Sequence, residues 1–168
     1  MVSHPAKFTD AKAALDYTLA GETLLSAVSK KTGGRLTFRV TKAPENAQFP
    51  FACWWVSLDS TSDKPYLGSF DADRKFWPDP KLGKLSEQGG GPAVEGARAI
   101  RWLMGILDEG RIPDTVELWH AGRCGRCGCE LTTIESITRG LGPVCAVKVG
   151  AVVLPAPRAA KAVVTHAA

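Results

Sequence analysis

Residues 24–42 read LLSAVSKKTGGRLTFRVTK, and this stretch decides the fold class. Leu36, Phe38 and Val40 alternate with Arg35, Thr37, Arg39 and Thr41, the period-two pattern of a strand buried on one face. Before it runs a second strand-like segment, Leu24 to Lys30, and between the two stands Lys31-Thr32-Gly33-Gly34. The glycines of that turn supply the positive φ that a tight reversal needs, so the two segments pair as an antiparallel hairpin. Its second strand turns a basic face outward through Arg35 and Arg39.

Working outward, Ala11, Ala14, Leu15 and Leu19 recur at helical spacing, with Thr9 placed to cap the start and Gly21 to end it. Downstream, Phe51 to Leu58 is apolar almost throughout and reads as a central strand, and Tyr66 to Phe70 follows the polar loop 59–64 as a fourth. Residues 71–91 are rich in Asp, Lys, Pro and Gly and read as a long exposed loop with a short edge strand at Lys75 to Trp77. Pro92 opens the clearest helix, running to about Glu109, in which Ala93, Ala97, Ile100, Met104 and Leu107 form one apolar stripe. Trp102 and Met104 read as packing residues of that helix. Val116 to Trp119 is one more strand, leading into a cysteine cluster. After Gly150 the chain turns to AVVLPAPRAAKAVVTHAA, without aromatic anchors or periodicity, and reads as disordered.

The expected architecture is therefore α+β: a small antiparallel β-sheet packed by one main helix over residues 1–115, a zinc-finger module over 116–150, and a tail over 151–168. A chain of 168 residues is about the size of one ordinary domain, or of one domain with a small appendage. No apolar stretch is long enough to cross a bilayer and the N-terminus has no signal core, which points to a soluble cytoplasmic protein. The net charge of +4 permits nucleic-acid binding without arguing for it. Five cysteines, four of them between residues 124 and 145, make a poor disulfide framework and a good metal framework. Cys53, alone beside Trp54 and Trp55, reads as a small buried hydrophobe.

The run HAGRCGRCGC begins at His120 and ends at Cys129, and fifteen residues then separate Cys129 from the Cys145 of Gly142-Pro143-Val144-Cys145. Zinc takes four ligands at tetrahedral corners, sulfur at about 2.3 Å and imidazole nitrogen at about 2.0 Å. Cys124 and Cys127 form a Cys-x-x-Cys turn that Gly125 and Gly128 leave free to wrap. Cys145 follows the helix-opening Gly-Pro, where a helix dipole favours its thiolate. His120, four residues before Cys124 at the end of a strand, is the expected fourth ligand, and Cys129 is its competitor. The expected cofactor is one structural Zn2+ per chain, held by His120, Cys124, Cys127 and Cys145.

This stretch resembles a short zinc-finger-like family of unknown function found in phage, bacterial and some plant proteins. The resemblance rests on His120, Cys124, Cys127, Gly128, Leu131, Thr132, Ser136, Ile137, Gly140, Gly142, Pro143 and Cys145, and covers roughly residues 116–150. It implies a treble-clef or knuckle-like zinc module in a phage-type protein, which would place the chain in a host cytoplasm, and it brings no established activity. The family commonly carries Arg at the position of Cys129, which counts against Cys129 as a ligand.

Four ligands close a zinc site, and no phosphate loop, nucleophile elbow, HExxH or deaminase pattern occurs in the chain, so a non-enzymatic protein is expected. Two partner classes follow. Nucleic acid would be held by Arg123, Arg126, Arg139 and Lys148 around the zinc and by Lys30, Lys31, Arg35 and Arg39 on the hairpin. A host protein complex, bound and inhibited, would instead use the long loops with Phe76 and Trp77 as aromatic anchors.

Overall fold

The computed structural model describes residues 6–46 and 50–151. His4, His166 and the expected tail beyond Ala151 lie outside the described residues. The elements run β1 (Lys7–Phe8), α1 (Ala11–Thr18), β2 (Glu22–Ser29), β3 (Arg35–Lys42), β4 (Trp54–Leu58), β5 (Tyr66–Phe70), β6 (Phe76–Pro78), α2 (Lys81–Glu87), α3 (Pro92–Asp108), β7 (Val116–His120), α4 (Ile134–Arg139) and α5 (Pro143–Lys148).

The strands form one seven-stranded antiparallel sheet in the order β1-β7-β2-β3-β4-β5-β6. The hairpin read from the sequence is its centre, with Leu25 opposite Phe38 and Val28 opposite Arg35. From β2 to β6 the chain meanders to one edge. It then returns through α2 and α3 to lay β7 against the far side of β2. The strand at which the finger was expected to begin is thus an internal strand of the sheet, second in its order.

Alternation decides which side of the sheet is covered. Leu25, Phe38, Val40, Val56, Leu58 and Leu118 point to one face and are fully buried, packed with Ala14 and Tyr17 of α1 and Ile100, Leu103 and Leu107 of α3. Each large side chain buried there contributes roughly 1.5–3 kcal/mol. Gly96 lets α3 approach closely, since a Cβ there would meet Leu67 and Leu58 at 3.3–3.4 Å.

Three local readings change. The N-cap of α1 is Asp10, whose carboxylate accepts from the Ala13 N–H, so Thr9 is not the cap. The loop 71–91 contains α2, which Leu82 anchors in the core. Strand β1, only two residues long, carried too little periodicity to be seen, yet it pairs Lys7 with Trp119 and Phe8 with Leu118.

Candidate metal centre

The chain leaves β7 at His120 and folds into a compact knuckle. The N–H of Cys124 donates to the Cys129 carbonyl at 2.8 Å, that of Gly128 to the Cys124 carbonyl at 2.9 Å, and that of Leu131 to the Gly122 carbonyl at 3.0 Å. Thr133 then caps α4 by accepting from the Ser136 N–H, and Gly140 ends it in the left-handed conformation, φ 74°. Pro143 opens α5, which puts Cys145 in its first turn. A small apolar cluster of Ala20, Leu131, Leu141, Ala146 and Ala151 closes around Cys124 and Cys145.

This folding brings the sulfurs of Cys124, Cys127 and Cys145 within 4.8 Å of one another. Sulfurs bound tetrahedrally at about 2.3 Å stand about 3.8 Å apart, so the three are within reach of one ion. None of the five cysteines is in a disulfide. The donor set, three convergent thiols, fits a soft or borderline metal ion. The N–H of Gly142 also points at the Cys124 sulfur, 3.5 Å away.

The thiols are tuned unequally. The backbone N–H of Cys129 chiefly lowers the Cys127 thiol to about 7, with the neighbouring thiols adding to the effect. Burial pushes Cys145 up to about 11. Cys145 sits in the first turn of α5 with its thiol held high by burial, so a bound cation would have to stabilise the thiolate.

His120 does not join the converging group. Its Nε2–H donates to the Ile137 carbonyl at 2.6 Å, and its Nδ1 accepts from the Gly122 N–H at 3.0 Å. Both ring nitrogens therefore have backbone partners. The ring is buried and packs with Phe8 and Tyr17, centroids 5.2 and 5.4 Å away. Cys129 is also outside the group, but its exposed thiol lies near enough to Cys127 to help lower that thiol.

The expected cationic contacts separate. Arg39 and Arg123 line one small cleft of about 120 Å³ between the sheet and the knuckle. Arg126 and Lys148 line a larger cleft beside it, about 640 Å³, with Lys42 and the Trp54 ring. Glu22 borders both. Lys30, Lys31 and Arg35 lie at the opposite, turn end of the hairpin, and Arg139 lines neither cleft. Several of these charges already have partners: Arg39 pairs with Asp59 at 3.3 Å, and Lys42 with Glu45 at 2.9 Å. Lys42, which the sequence reading did not single out, lines the larger cleft from the end of β3, next to the Glu22–Thr41 pair. Of the two expected aromatic anchors, Phe76 is buried in the core and Trp77 is half exposed.

Among the described residues no helix is long and apolar enough to cross a membrane. No curated protein and no solved structure matches the chain. Residues 120–150, the whole of the knuckle with α4 and α5, match a family described only as a family of unknown function (DUF6011).

Proposed function

We propose that this chain is a non-enzymatic binding protein, with one structural zinc ion in its cysteine knuckle and nucleic acid as its partner. Cys124, Cys127 and Cys145 would hold the zinc, and Cys129, the thiol beside Cys127, would complete the set. With Cys129 as the fourth ligand, no position would be left for a reactive water, and the ion would be structural. The observation that carries the nucleic-acid reading is the seam between knuckle and sheet, where Arg39, Lys42, Arg123, Arg126 and Lys148 converge on two adjoining clefts. Cations from separate elements in one groove suit a polyanion that runs along it.

Metal analysis of the purified protein, paired with gel shifts at two salt concentrations, tests both halves. About one zinc per chain and a log–log salt slope of roughly −2 to −3.6 are expected if three or four phosphates are neutralised. One zinc with no shift would move the partner to protein, and no zinc would remove the structural ion from the reading.

A further inference from the structure

Helices α1, α2 and α3 pack on one face of the sheet, and the other face carries aromatic rings in register. Across the strands run Glu22, Thr41, Trp55, Ser69 and Trp77 in one row, and Leu24, Arg39, Ser57 and Tyr66 in the next. Tyr66 is 44% and Trp77 52% exposed, although both sit in strands whose alternate residues, Leu67 and Phe76, are in the core. Trp77 is held in place: its Nε1–H donates to Asp71 at 2.8 Å, and Lys75 lies 4.2 Å from its ring centroid. Strands stand about 4.8 Å apart, so Trp55 and Trp77, two strands apart, are separated by roughly 10 Å across the sheet.

We propose that this face is a stacking platform for single-stranded nucleic acid, with Trp55, Tyr66 and Trp77 taking bases while the basic seam holds phosphates. The inference rests on the nucleic-acid reading above and adds the strandedness and the surface. Continuity supports it, because Thr41 lines the larger seam cleft and is the cross-strand partner of Trp55. Charge supports it too: Arg39 lies within the aromatic rows and also lines the smaller cleft. Bases in a duplex hide their faces from such rings, whereas an unpaired strand offers them. A ring already fixed by a hydrogen bond loses little freedom on stacking.

The test uses the whole 168-residue chain, loaded with zinc, and a fluorescent oligodeoxythymidine, with a duplex of equal length beside it. The single strand is expected to bind at least tenfold more tightly, and Trp77→Ala and Tyr66→Ala each to weaken it about fivefold or more, in line with the loss of one stacked base. Trp77→Phe should restore most of the loss. Trp102→Ala, equally exposed on the helical layer, is the control and should change nothing. Equal affinity for duplex, or Trp77→Ala without effect while seam charge reversals still weaken binding, would overturn the platform and leave the seam. Binding of neither form would overturn both. A shift in sedimentation with Trp77→Ala and no change in nucleic-acid binding would assign the face to a second copy of the chain and overturn the proposal.

Discussion

The ring of Tyr17 lies so close to Gly140 that a Cβ on residue 140 would stand 2.5 Å from its Cδ2. Gly125 touches the same ring, with 2.7 Å for its own Cβ. Tyr17 belongs to α1 and both glycines to the knuckle, so one aromatic ring joins the two parts. Gly140→Ala should cost roughly 1–2 kcal/mol for the left-handed conformation and about 1–3 kcal/mol more for overpacking. Gly122→Ala, with φ also 74° and nothing within 4 Å, should show the conformational cost alone. Urea denaturation of the two variants measures the difference, and equal losses would mean that the Tyr17 contact yields at no cost.

The two backbone bonds of His120 give a second prediction. His120→Ala should retain bound metal and lose roughly 1–3 kcal/mol of stability, because it takes the partner from the part-buried Gly122 N–H and leaves the Ile137 carbonyl only the Gly140 N–H. Cys129→Ser should do the reverse, weakening metal retention with little effect on the sheet. Metal content after dialysis, alongside thermal melts, separates them. Loss of metal in His120→Ala with retention in Cys129→Ser would return the histidine to the ligand set.

The difference over His120 shows what could be read in advance. Spacing identifies cysteines well, because a Cys-x-x-Cys turn and a Cys in the first turn of a helix have few alternative uses, and Cys124, Cys127 and Cys145 do converge. A histidine at a strand end has several uses, and only the fold shows that α4 brings the Ile137 carbonyl to it. The hairpin, β5 and α3 were legible because each buries one face and is bounded by turn residues or Pro and Gly. The aromatic face was hidden by Trp54, Trp55 and Val56: three apolar residues in succession read as a central strand and show no alternation, although Trp55 alternates away from Val56. The insertion of β7 between β1 and β2 is a long-range pairing that no local pattern announces.

Metal removal should act locally. The apolar cluster around Cys124 and Cys145 is small, whereas the sheet has its own core, and structural zinc can supply roughly 10 kcal/mol or more to such a module. Chelation is expected to abolish hydrogen-exchange protection at the amides of Cys124, Gly128 and Ala146 while those of Leu25 and Phe38 stay protected. Because β7 is internal to the sheet, Leu118 should stay protected as well. A uniform loss across both sets would show that sheet and knuckle unfold together.

The seam can be tested without touching a sulfur ligand. Arg123 donates to the Gly128 carbonyl, and Lys148 is exposed at the end of α5; the two come from different sides of the knuckle and line different clefts. Arg123→Glu and Lys148→Glu each replace a positive charge by a negative one, so a purely electrostatic partner should bind the double variant at least tenfold more weakly and with a flatter salt dependence. Arg101→Glu and Arg111→Glu on the helical layer make the same change in net charge away from the seam, and there the affinity should fall much less. Equal losses from the two pairs would mean that overall charge, not the seam, sets the affinity. Metal content measured on each variant separates a lost phosphate contact from a disturbed knuckle.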